Sequence, residues 1–167
     1  IVNDRIIYNG IKSEVFRWIF SAGHQYTFSN QLNLSLNTEW NHIIGKTEEY
    51  GSIEPVEDRV DLSASLQKRF KKISASVNVR KPFITQVETP VLPYVGVDVV
   101  LLEQASQELL LKVNTSKNFR APTLNDRYWK DAGQKDLSPE TSYAAEGGLD
   151  WSIQEIHGIT ATFFYQN

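Results

Sequence analysis

The chain of 167 residues contains no cysteine and no methionine. Without cysteine there is no disulfide framework, no thiolate metal site and no thiol nucleophile. Positive charge is not in excess either. Seventeen Lys and Arg against twenty Asp and Glu give a formal charge of −3, so no broad basic footprint exists for nucleic acid, which is not an expected partner. No apolar run approaches the ~18 residues of a membrane helix; the densest, Val99-Val100-Leu101-Leu102, directly follows Asp98. A helical span is excluded, whereas a membrane barrel is not. No basic segment leads into an apolar signal core, and the first residue is Ile1 rather than Met, so the chain is expected to be a section of something longer. What is present is 41% hydrophobic and 11% aromatic, the composition of folded material.

The apolar residues are spread over every second position. Phe16, Trp18, Phe20, Ala22, Tyr26 and Phe28 alternate with Arg17, Ser21, Gly23, Gln25 and Thr27, which is the period of a strand. After the turn residues Ser29-Asn30-Gln31, Leu32, Leu34, Leu36, Thr38 and Trp40 alternate with Asn33, Ser35, Asn37, Glu39 and Asn41, completing a hairpin. A second hairpin turns at Lys71-Lys72, with Val60, Leu62, Ala64 and Leu66 on one arm and Ile73, Ala75, Val77 and Val79 on the other. A third turns at 103–106. It is less regular, because Val100 and Leu110 interrupt the polar side. A last pair is expected near 141–152 and 157–166, for about eight strands in all. Short turns near 29–31, 70–73, 103–106 and 153–157 alternate with long connections at 45–57, 82–93 and 117–140, where Pro82, Pro90 and Pro93 bracket the second. Outer-membrane barrels share that layout of short periplasmic turns and long extracellular loops.

Alternation alone does not say which face is wet. A soluble, lipocalin-like barrel binding a small hydrophobic ligand, and a small structural outer-membrane barrel, are both open on periodicity. Three features favour lipid on the apolar face. The polar face is rich in Ser, Asn, Thr and Gln, as in a crowded lumen. The strands reach the ~9–11 residues that a tilted membrane strand requires. Trp18 and Trp40 lie toward the long-loop end and Tyr26, Phe28 and Phe70 toward the short-turn end, as two aromatic girdles would. His24 and Lys68 also fall on the apolar face; Lys68 is near enough to a turn to snorkel, and His24 is the weaker fit.

At 117–129 the sequence runs Lys-Asn-Phe-Arg-Ala-Pro-Thr-Leu-Asn-Asp-Arg-Tyr-Trp, and here it resembles TonB-dependent outer-membrane receptors. Phe119, Arg120, Ala121, Pro122 and Thr123 match a recurrent stretch of that family, followed by Asn125, Tyr128 and Trp129. Asp136-Leu137-Ser138-Pro139-Glu140 matches in part, with Lys135 where Pro is common and Ser138 where Lys is common; Glu146, Gly148 and Leu149 follow at the expected distance. The sharp resemblance covers roughly residues 89–167, and Asn-Asp-Arg-Tyr-Trp is most similar to receptors for vitamin B12 or iron chelates.

The resemblance implies an all-β fold: residues 1–167 are an up-and-down section of a larger barrel, without the plug domain and the remaining strands. It also implies location in the outer membrane of a Gram-negative bacterium, lipid around the barrel, a plug in the lumen, TonB as the energy donor, and a siderophore complex or cobalamin as cargo. No cofactor is implied. Tyr50, Arg120, Tyr128 and Trp129 are the candidate ligand contacts, while Phe119 to Thr123, Pro139 and Glu140 are motif residues with structural roles. Each also has a plainer reading: Arg120 pairs with a carboxylate such as Glu140 or Glu146, and Tyr128 and Trp129 pack within the loop.

No enzyme is expected. His24, His42 and His157 are scattered, and no phosphate-binding Gly-rich loop or Gly-x-Ser-x-Gly elbow occurs. Large transporters of this type close with about 22 strands, so about eight in isolation are expected to aggregate or need detergent unless they reclose as a small barrel.

Overall fold

A computed structural model describes residues 12–28, 31–154 and 156–167. Its elements are β1 (Ser13–Thr27), β2 (Leu32–Thr47), a 3-10 turn at Glu48–Tyr50, β3 (Val56–Arg69), β4 (Ile73–Ile84), β5 (Leu92–Gln104), β6 (Gln107–Arg120), a short helix α1 (Leu124–Tyr128), β7 (Glu140–Ile153) and β8 (His157–Gln166). The strands form one sheet in chain order, each antiparallel to the next, with β1 and β8 as its edges.

Register keeps the two faces chemically distinct across the sheet. Asn37 stands between Gly23 and Ser63, and Ser63 faces Arg80, so polar residues line up from β1 to β4. On the other side Leu36 lies between His24 and Ala64, and Ala64 faces Val79. The irregularity of the third hairpin has a local cause. Val100 pairs with Leu110, placing the two misfit residues together on the polar face, and the ladder then shifts between Val100 and Leu102.

The apolar face is bare. Trp18 is 68% exposed, Phe20 64% and Phe163 80%, whereas Ile43, Tyr50 and Leu92 are the only buried hydrophobics among the described residues. A lipocalin-like barrel would enclose its apolar face; this sheet leaves it uncovered, far beyond the patch a soluble surface carries. At the long-loop end of that face, the Trp40 indole N–H donates to Asp58 Oδ1 at 3.0 Å and His42 Nδ1 lies 2.9 Å from the same oxygen. At the opposite end the Tyr26 and Phe28 rings meet edge to face at 4.6 Å, and the Lys68 ammonium sits 5.7 Å from the Phe70 ring. Aromatic rings thus stand at both rims, with polar groups of Trp40, His42, Tyr26 and Lys68 among them, as in interfacial girdles.

Short turns do gather at one end. Arg69 N–H donates to Gln31 O, Val100 N–H to Lys72 O and Gln154 N–H to Ser106 O, so neighbouring turns are bonded together. Ser29 and Asn30 of the first turn and Glu155 of the last lie outside the described residues. The long connections are shorter than the sequence pattern suggests: strands persist to Thr47, Ile84 and Arg120, leaving 48–55, 85–91 and 121–139 as loops. Pro82 and Pro93 thus lie inside β4 and β5 rather than in an irregular connection. Pro82 is tolerated because its carbonyl, and with it the imide nitrogen, points away from β3 toward Thr89, whose hydroxyl donates to it at 2.6 Å.

Leu62, on the apolar face, and Ser63, on the polar face, are adjacent at the middle of β3, which allows a direct test of the assignment of faces. In the full-length protein folded into phospholipid vesicles, Leu62→Arg is expected to cost about 2–4 kcal/mol and Ser63→Arg less than about 1 kcal/mol, read from urea unfolding. Equal losses would refute the assignment.

Candidate functional site

The motif-bearing connection 121–139 folds onto the polar face at the long-loop end. Its helix begins with a capping box: Thr123 Oγ1 accepts from Asp126 N–H at 3.2 Å, while Asp126 Oδ2 accepts from Thr123 N–H at 2.8 Å. Pro122, buried just before the cap, sets the entry of the chain. The helix ends at Trp129, and Gly133 N–H closes back on Trp129 O at 2.6 Å. A Cβ on Gly133 would stand 2.6 Å from Trp129 N, so only glycine fits this return.

Leu124 is the apolar foot of the helix. It rests over Gly45 of β2, where an added Cβ would lie 3.0 Å from Leu124 Cδ1 and 3.1 Å from the Tyr50 ring. This explains why the two-residue period fades after Asn41. The polar face is covered here, and Ile43, Gly45, Thr47 and Pro55 are buried beneath or beside the loops.

Beyond Leu124, the contacts are polar and join three loops. The Tyr50 hydroxyl donates to Asn125 Oδ1, and burial holds that phenol above its ordinary pKa, so it stays a donor at neutral pH. The Tyr50 and Tyr128 rings meet edge to face at 6.4 Å. Lys130 N–H donates to Glu49 O at 2.6 Å. Arg127, 3% exposed, spreads its guanidinium over three partners: Nη1 to Glu57 Oε2 at 3.1 Å, Nη2 to Gln86 Oε1 at 3.0 Å and Nε to Lys135 O at 3.4 Å. Glu57, 1% exposed, also accepts from Arg59 Nε at 2.5 Å. Gln86 Oε1 takes a second bond from the Tyr128 hydroxyl at 3.3 Å.

The candidate ligand residues divide accordingly. Tyr50 is buried under the helix, Tyr128 and Trp129 are half-buried beside it, and Arg120 is exposed and pairs with Glu140 at 3.3 Å across the β6–β7 ladder. Phe119 lies on the apolar face opposite Thr141, Ala121 and Pro122 carry the chain off the sheet, Thr123 caps the helix, and Pro139 immediately precedes β7. Glu57, Gln86 and Arg127 were not singled out from the sequence, and Asn125 was noted there only as a motif match. Thr123-x-x-Asp126 was a readable capping signal; the partnership of Glu57 with Arg127, 70 positions apart, carried none.

Farther along the polar face, Arg80 pairs with Asp61 at 2.8 Å and Lys112 with Asp150, while the Glu146 carboxylate accepts from the neutral Asn114 amide at 3.2 Å. Among the described residues no group of three or more His, Asp or Glu is placed to hold a metal.

Two outcomes are expected. Gly45→Val, though it favours a strand, should push Leu124 off its seat and cost about 1–3 kcal/mol, seen as faster amide exchange over 121–129. The hydrogen bonds from Thr123 hold the Asp126 carboxyl below its ordinary pKa, so its capping contribution is complete above the unfolded value and lost as pH falls through the folded one. Exchange from α1, corrected for intrinsic rate, should be level from about pH 5 to 8 and rise below about pH 4. Asp126→Asn should remove that acid dependence.

Comparison with known proteins agrees with this architecture. In sequence, the chain is 42% identical over 55 residues to the vitamin B12 transporter BtuB of Photobacterium profundum, covering 29% of this chain and 9% of that one. In structure, it superimposes on the siderophore receptor PirA of Pseudomonas aeruginosa with a TM-score of 0.80 at 15% identity, over 92% of this chain and 31% of the receptor. The siderophore receptor PirA of Acinetobacter baumannii gives 0.75 at 15% identity, over 93% and 27%. The chain thus spans about a third or less of these proteins. The family model for the TonB dependent receptor-like beta-barrel matches residues 3–167, and with the open eight-stranded sheet and the capped motif loop this chain belongs to that family, as a section of its barrel.

Proposed function

We propose that this section contributes part of the lumen wall and three extracellular ligand-capturing loops to an outer-membrane importer of a metal chelate or cobalamin, energised by TonB. The observation that carries the reading is the gathering of loops 48–55, 85–91 and 121–139 into one cluster over the polar face, with Tyr128 and Trp129 at its surface. Half-exposed aromatic rings offer flat apolar area at little entropic cost, which suits the rim of a chelate or a corrin. Tyr50, buried beneath, supports Tyr128 rather than meeting ligand, and Arg120 with Glu140 contributes a charged pair beside the loop. The polar wall from Asp61 and Arg80 to Lys112 and Asp150 faces the plug that the rest of the chain would supply. The family is one of receptors, and the roles assigned here are recognition and passage. Cobalamin is the first cargo to test, because the sequence likeness is to a vitamin B12 transporter while the siderophore receptors share the fold at 15% identity.

The test is uptake by the full-length receptor in a Gram-negative strain stripped of its own receptors for these compounds. Labelled cyanocobalamin, a ferric catecholate and a ferric hydroxamate are supplied with and without functional TonB. TonB-dependent uptake of one of them is expected, and Tyr128→Ala or Trp129→Ala should each weaken its binding about tenfold or more at unchanged receptor abundance. Uptake of none, or uptake indifferent to TonB, would refute the proposal.

A further inference from the structure

The Arg127 guanidinium is buried, with a partner on each of its three nitrogens, and it reaches separate parts of the loop cluster. Its three donor nitrogens reach β3 through Glu57, loop 85–91 through Gln86 and the far side of its own loop through the Lys135 carbonyl. Loop 48–55 joins through Tyr50 on Asn125 and Glu49 on Lys130. Gln86 holds a backbone φ of +60°, a conformation an L-residue adopts at a cost, and its side-chain oxygen is fixed there by both Arg127 and Tyr128. Loss of Glu57 or of the exposed Gln86 would leave the buried Arg127 guanidinium short of a bond, and loss of Arg127 would leave the buried Glu57 carboxylate so.

We infer that Glu57, Gln86 and Arg127 are positioning residues that lock the three loops into a single body, so that Tyr128 and Trp129 are presented to ligand ready-placed and the loops open together or not at all. The inference builds on the reading of these loops as ligand-capturing, but its first test needs no ligand. Lys130 and Lys135 are exposed in loop 121–139 and offer tryptic sites on intact cells. For the full-length receptor, Glu57→Gln in β3 and Gln86→Ala in loop 85–91 should each speed cleavage at those lysines by at least about tenfold, although neither residue lies in the cleaved loop. Cleavage at the wild-type rate in Gln86→Ala would show that the loops open independently and would overturn the inference.

A second arm guards against general misfolding. Glu49→Cys with Lys130→Cys, placed where the two loops share a backbone bond, should oxidise to a disulfide and restore slow cleavage at Lys135 in the Gln86→Ala background. Failure of the disulfide to form, or fast cleavage despite it, counts against a single body. A third arm reads position directly, with cyanocobalamin and a ferric catecholate as probes. For a probe that is taken up, Gln86→Ala should raise the half-saturating concentration several-fold and leave the maximal rate within about twofold, since preorganisation acts on binding. A lowered maximal rate at unchanged half-saturation overturns the positioning role. If neither probe is taken up, the ligand-capture reading fails while the tryptic result still decides whether the loops are one body.

Discussion

Everything in this sheet depends on strand register. With a side-chain period of two, a slip of β3 by one residue against β2 would carry Leu62 and Leu66 to the polar side and set Ser63 and Ser65 outward. A soluble sheet could repack part of such an error in its core. Here Ile43, Tyr50 and Leu92, with three prolines, make up the buried apolar residues of any size among the described residues, so there is little core to absorb it. The hairpins hold the register through their turns, where Phe28 N–H donates to Leu32 O at 2.8 Å and Phe70 N–H to Ile73 O at 2.7 Å, and adjoining turns are bonded to one another.

The same constraint explains why the interior, such as it is, forms at the long-loop end. Where the polar face is open, as at Asn37, Asp61 and Arg80, charged and amide side chains are retained and paired. Where α1 covers it, the strand positions become Ile43, Gly45 and Thr47, and the one carboxylate left inside, Glu57, is clamped by Arg59 and Arg127. A buried ion pair of this kind is a weak source of stability and a strong source of geometry, because desolvation offsets most of its attraction while misplacement leaves a charge uncompensated. Preorganised loops lose less entropy when they bind, which is how a structural salt bridge can bear on affinity without touching ligand.

Much of the fold was legible in the chain. The alternation of Phe16 to Phe28, of Leu32 to Trp40 and of Val60 to Leu66 gave strands of the right length on the right faces, and Val100 and Leu110 marked the bulged hairpin. The Arg120–Glu140 pair and the flanking roles of Pro122 and Pro139 were also readable. Loop limits were not. Ile43-Ile44 and the prolines at 82 and 93 look like breaks in a pattern that assumes one wet face along the whole strand, and that assumption fails once a loop folds over it.

By itself, then, the amino-acid order determined an open antiparallel sheet with one lipid-seeking and one polar face, because face is decided locally by position parity. It also carried the family motif and the capping box of Thr123 and Asp126, which are contiguous. Only the tertiary structure decided that Tyr50 is support rather than surface, that Glu57 and Arg127 meet, and that three separate loops make one cluster. Those outcomes hang on contacts between residues 41 to 75 positions apart, whose chemistry, an acid, a base, an amide and a phenol among many, has no period to betray it.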